Sequence, residues 1–213
     1  MVLSLLKRIY SKIYLSKIRF EEKTLLKKLG GFHETSHLYL PVHLHGDPKN
    51  IFLDSQSHIY GNFTFISVNG KFIMKENSGA AQGLTVITDN HVRRVGHYFI
   101  DGPITSDNST YKDIVVDEDV WIGANVTLCD GCHIARGAVI GAGATVRTNI
   151  PPYAIVFGNP AKIIGFVFTP EELDEHEKLL YPENKRISIE KYRINFDKYY
   201  IKRIREISSF CRL

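Results

Sequence analysis

A repeat of six residues constrains this chain more than anything else in it. From Val116, steps of six reach Ile122, Leu128, Ile134, Ile140 and Val146, all aliphatic, and the slots four further on hold Val120, Val126, Cys132, Ala138 and Ala144, all of small or modest volume. Gly123, Gly131, Gly137 and Gly141 punctuate the intervals, and polar residues take most of what remains. An ordinary half-buried strand alternates in twos. Steps of four and two describe a short strand, a turn and another short strand, and self-similarity at a fixed period is the mark of a solenoid. Three hexads close one triangular coil, the large aliphatic pointing to the axis and the smaller residue filling the corner. A weaker run, Tyr60, Ile66, Phe72, Ser78 and Leu84, keeps the same step, with Gly61 and Gly79 directly after two of its members. Residues 88–113 break the pattern, and a segment of that length inside a compact repeat is more often functional than accidental.

The expected organisation is an N-terminal helical segment over 1–48, a parallel β-helix over 49–150 carrying the protruding loop 88–113, and a C-terminal part over 151–213. In that last part TNIPPYAIVFGNPAKIIGF has the Pro and Gly density of an ordered loop and not of a coil. Thr169 then caps the helix PEELDEHEKLLY, with Pro170 at its first position and Glu171 and Glu172 in its first turn. The tail 187–213 is expected to be helical.

Composition excludes several classes. At 44% hydrophobic and 23% charged the chain is neither disordered nor fibrous. Its apolar runs are cut by charges well short of the roughly 20 residues a spanning helix requires. The start carries Lys or Arg through its apolar part and lacks a small-residue cleavage site, so it does not read as a signal peptide. Cys129 and Cys132 form a CxxC without a second such pair, and Cys132 already falls in a corner slot, so packing accounts for it. A reducing cytoplasm is the expected compartment. The net charge of +4 is concentrated in residues 7–28, where Lys and Arg recur beside Leu and Ile. Such a helix packs its apolar stripe on the body or a neighbouring subunit, or rests on an anionic membrane surface. Nucleic acid lacks the aromatic and basic interleaving that would support it.

VWIGANVTLCDGCHIARGAVIGAGATV followed by PPYAIVFGNPAKIIG resembles the C-terminal signature of the hexapeptide-repeat acyltransferases, and within them the branch that O-acetylates capsular and exopolysaccharide sugars. The resemblance covers roughly residues 50–180. It implies a mainly β fold, a left-handed parallel β-helix with α-helices at both ends. The hand comes from the resemblance alone, because parallel crossovers are ordinarily right-handed. It also implies a homotrimer, with acetyl-CoA as co-substrate lying along the outside of the helix between subunits.

Acetyl transfer to a sugar hydroxyl needs a base, and histidine suits the task near neutral pH. Family members acting on saccharides and hydroxyl-bearing drugs carry a histidine in a setting similar to LTVITDNHVRRVG, so the resemblance gives that role to His91, with His97 the rival on the same loop. His133 should point outward, and His33, His37, His43, His45 and His58 read as surface groups. Asn90 and Asp89 flank the base and could orient it, meet a sugar hydroxyl or form a turn. Trp121 resembles the family's tryptophan near the acceptor and thioester, or packs at a coil corner. Ala124 and Ala142 resemble positions whose backbone pairs with the pantetheine arm. Arg147, Thr148 and Lys162 match positions near the nucleotide end, where positive charge meets phosphate. Arg147 departs from the family, which often has Thr there with Lys following. The oxyanion donor is expected from a backbone N–H of a neighbouring subunit.

Three other readings stay open. The same base and cofactor serve N-acetylation of an amino sugar or acetylation of an antibiotic. A zinc enzyme resembling the γ-class carbonic anhydrases would need His91, His97 and His133 to converge across an interface, against the motifs, which favour no metal. A non-catalytic scaffold would dock through its basic N-terminal helix.

Overall fold

The structure, a computed structural model, describes residues 2–201 other than 92, 94, 99 and 101–108. Short parallel strands stack into three faces of a triangular helix. Face A holds Gly31–Phe32, Ile51–Leu53, Phe72–Met74, Ile114–Val116 and His133–Ile134. Face B holds His37–Leu38, His58–Ile59, Gly79–Ala80, Trp121–Ile122, Val139–Ile140 and Ala154–Phe157. Face C holds Val42–His45, Phe63–Ile66, Thr85–Ile87, Thr127–Cys129 and Thr145–Val146.

The downstream repeat packs as its spacing demands. Val116, Ile122, Leu128, Ile134, Ile140 and Val146 are fully buried on the axis, and Val120, Val126, Cys132, Ala138 and Ala144 fill the corners. Burial pushes the Cys132 thiol up to about 12 and raises Cys129 as well. Cys132 is thus a packing group held as the thiol.

The upstream register differs from the expected one. Tyr60 and Ile66 face outward, while Phe72, Ser78 and Leu84 occupy the slot two residues before the axial Met74, Ala80 and Val86. The cause is a longer corner between faces C and A. Leu44 to Leu53 and Phe65 to Met74 are steps of nine, against six from Leu128 to Ile134. From Val86 to Val116 the step is thirty. The protruding loop is therefore an enlargement of a corner that is already long in each preceding coil.

Both outer boundaries also shift. Coil strands begin at Gly31, so the helical segment expected over 1–48 ends at Leu26, and the first coil escaped notice because His33, His37, Tyr39, His43 and His45 crowd its outward positions. At the other end, Ala154–Phe157 stacks in parallel on Val139–Ile140, so the coil runs past 150. The GNPA segment is the turn of a hairpin whose second strand, Lys162–Phe166, pairs antiparallel and covers the open edge.

Turns at the corner from A to B need a left-handed residue, and Gln56, Asn77, Asp119, Gly137 and Tyr153 stack there with positive φ. Asn and Asp tolerate that region at modest cost, and glycine at none. Gly137 is further constrained, because a Cβ there would lie 2.1 Å from the Tyr153 ring.

Helices close the ends. Helix α1, Val2–Leu26, packs Leu25 and Leu26 on the core. Helix α2, Pro170–Leu180, starts in the expected capping box: the Thr169 side chain accepts from Glu172 N, and the Glu172 carboxylate accepts from Thr169 N at 2.8 Å. Glu177 of α2 is 1% exposed and accepts from Arg136 (3.0 Å), the Tyr153 hydroxyl (2.7 Å) and Ile187 N (2.9 Å). Arg136 also bonds Glu118 and lies 4.0 Å over the Tyr181 ring. This cluster fastens the C-terminal helices to the last coils, and burial next to Glu177 raises the Tyr153 pKa far above the ordinary phenol value. Helix α3, Ile189–Phe196, continues into a single π turn to Ile201, and the rest of the expected helical tail, 202–213, lies outside the described residues.

Candidate active site

The enlarged corner opens with a hairpin. Asp89–His91 pairs antiparallel with Ser109–Tyr111, placing His91 opposite Ser109 and Asn90 opposite Thr110. Its root is anchored by Asp89, whose carboxylate accepts from Val68 N (2.9 Å), Asn69 N (3.3 Å) and the Thr88 hydroxyl (2.6 Å). That carboxylate holds the preceding coil's long corner, and Asp89 itself opens the hairpin strand and not a turn. Asn90 donates to Asp130 at 2.8 Å and so ties the hairpin to the next coil.

His91 is exposed, and with Asn90, Asp89, Ser67, Ile66 and His45 it lines a cavity of about 230 Å³. His45 was not singled out from sequence. It belongs to the column His45, Ile66, Ile87 and Cys129 along the edge of face C. The step of 21 residues from His45 to Ile66 and on to Ile87 is the signal that would have found it. His97 is exposed but is not among the residues lining this cavity, and much of the loop beyond it lies outside the described residues.

Trp121 is elsewhere. It stands half exposed on face B with its ring against Gly79, where an added Cβ would sit 3.2 Å away. It lines a larger cavity, about 630 Å³, with Gln56, His58, Asn77 and Asp119, and shares no lining residue with the His91 cavity. Burial and the neighbouring His37, stacked at 5.1 Å, lower the His58 pKa. Within one chain, Trp121 and His91 are therefore not brought together.

The residues expected to hold the cofactor divide between two corners. Ala124 and Ala142 sit at the corner from B to C in adjacent coils, where Gly143 N bonds Ala124 O at 2.8 Å. A Cβ on Gly123 would meet Ala142 N at 2.6 Å, so this edge stays close to bare backbone. Lys162 is exposed just after the hairpin turn, whose Gly158 O and Ala161 N both bond Thr145. Arg147 and Thr148 do not share that edge. They are exposed after the last strand of face C, with Arg147 close enough to Cys129 to act on it electrostatically. His133 bonds Asp117 at 2.7 Å, which also pairs with Lys75, on face A.

Stacked parallel coils, a hexad repeat and an exposed histidine hairpin define a hexapeptide-repeat β-helix protein. Residues 113–148 match the family described as bacterial transferase hexapeptide, six repeats. A probable macrolide acetyltransferase of Lysinibacillus sphaericus is 37% identical over 117 residues, 54% of this chain and 63% of that protein. The chain thus spans less than two thirds of that relative. Among solved structures, a hexapeptide-repeat acetyltransferase of Vibrio cholerae complexed with acetyl-CoA superposes with a TM-score of 0.59 at 23% identity, covering 68% of this chain and 75% of that one. A galactoside acetyltransferase in complex with coenzyme A gives 0.57 at 20% identity, covering 77% and 75%. The chain carries the hexapeptide repeat of that family over residues 113–148, is similar to hexapeptide-repeat acetyltransferases, and shares their left-handed parallel β-helix fold.

Proposed function

We propose that this protein transfers the acetyl group of acetyl-CoA to a hydroxyl of a saccharide, with His91 as general base. The observation that carries the reading is the exposed imidazole on a hairpin rooted by Asp89, beside a cavity that also takes in Asn90 and His45. The acceptor oxygen attacks the thioester carbonyl while His91 takes its proton, the carbon–sulfur bond breaks, and the departing thiolate recovers the proton from the imidazolium. Coenzyme A and acetyl-CoA in the two superposed structures support the cofactor. The galactoside enzyme supports a sugar acceptor, while the macrolide relative keeps an antibiotic hydroxyl as the second reading.

The proposed assembly is a homotrimer working in the cytoplasm. The Trp121 cavity and the His91 cavity lie on different sides of one chain, and a neighbouring copy could set one against the other. The near-bare corner at Ala124 and Ala142, leading to Lys162, suits a pantetheine arm ending in phosphate.

Acetyl-CoA should raise the melting temperature, since a ligand binding only the folded state stabilises it. Incubation with saccharides, amino sugars and a macrolide should release free thiol only with the true acceptor class. Lys162→Ala should weaken acetyl-CoA affinity by about tenfold, the loss of one charge-assisted contact. Neither a thermal shift nor thiol release with any acceptor would leave the β-helix as a scaffold.

A further inference from the structure

Helix α1 presents three faces. Ile18, Glu22, Leu25 and Leu26 turn toward the body, and Glu22 accepts from Leu40 N. Away from the body, Tyr10, Ile13 and Phe20 are 72%, 65% and 72% exposed, and Tyr14 stacks on Tyr10 with ring centroids 6.3 Å apart. Between these faces run the basic residues Lys12, Arg19 and Lys23. Lys17 and Glu21, paired at 3.8 Å, share this outer face, and among the described residues its Tyr, Ile and Phe side chains are not packed on the core.

Charge decides what covers it. The first acidic residue of the chain is Glu21, and before it stand Lys7, Arg8, Lys12, Lys17 and Arg19. A second copy of the same helix would bring like charges together, whereas an anionic surface neutralises them as it receives Tyr, Ile and Phe. Tyrosine suits the boundary between headgroups and acyl chains. Among the described residues no helix is long and apolar enough to cross a membrane. A basic helix with an apolar face lies in the plane of the interface.

We propose that α1 docks the protein onto an anionic lipid surface. The inference stands apart from the acetyl-transfer reading, because it rests on a helix that contributes nothing to the His91 cavity.

The test is flotation of the full chain with phosphatidylcholine vesicles, with and without phosphatidylglycerol. The protein should float with the anionic vesicles, release in high salt, and stay behind with phosphatidylcholine alone. Lys12→Gln with Arg19→Gln should lower partitioning by about twenty-five-fold, taking roughly fivefold per charge. Ile13→Ser with Phe20→Ser should lower it at least tenfold, and since these side chains are exposed, the melting temperature should hold. Equal flotation on both vesicle types, or none on either, overturns the proposal. Absence of flotation together with a smaller assembly for the serine variant in ultracentrifugation would assign the stripe to a second copy of the chain.

Discussion

The coils before and after residue 114 obey different rules. From Val116 to Ile134 one turn takes eighteen residues, with no slack at any corner, whereas from Leu53 to Met74 it takes twenty-one, with the surplus always between faces C and A. The strict half uses nearly every inward position for packing. The loose half has somewhere to hang other groups, and at its third coil the surplus grows into the hairpin that carries His91. Lengthening a surface corner is cheap, because loop-closure entropy rises slowly with length. Inserting a residue into a strand would turn every later side chain to the opposite face. The hairpin that carries His91 therefore grows from the corner that was already free to vary.

If that division is right, stability and turnover should respond to different residues. The largest effect should come from Arg136, in the strict half. Arg136→Ala leaves Glu177 buried without its cation, at a cost of about 3–5 kcal/mol in unfolding free energy. Glu177→Gln, which keeps hydrogen-bonding capacity, should cost less. Denaturant melts measure both, and a loss below about 1 kcal/mol for Arg136→Ala would show that the cluster does not hold the helical cap. Next comes His91→Ala in the enlarged corner, which should leave the melt unchanged and lower turnover a hundredfold or more, about 2.7 kcal/mol of barrier, with acetyl-CoA binding intact. Unchanged turnover would pass the role to His97.

The same division governs what could be read without coordinates. The strict hexads from Val116 to Val146 declared the β-helix because the six-residue step and the coil geometry coincide there. Upstream, the corner from Phe65 to Met74 is three residues longer, so no fixed step of six stays on the axis across it, and Tyr60 and Ile66 point to solvent. That break in phase also hid the column joining His45 to the His91 cavity. His91 and Asn90 were legible because they open the interrupting segment. The separation of Trp121 from His91 was not, since it depends on which face each corner leads to and not on any local pattern.

The smallest expected effect lies where the two halves meet. Asn90 belongs to the enlarged corner and Asp130 to the short corner of the next coil, and their 2.8 Å hydrogen bond is exposed. Asn90→Ala should cost no more than about 1 kcal/mol of stability. If Asn90 acts by holding the hairpin, turnover should fall up to about tenfold, and Asp130→Ala should produce a similar fall. The double variant should then add nothing, since both remove the same tie. A hundredfold loss for Asn90→Ala with none for Asp130→Ala would mean instead that the amide touches the acceptor itself. The strict coil would then contribute no positioning to the corner beside it.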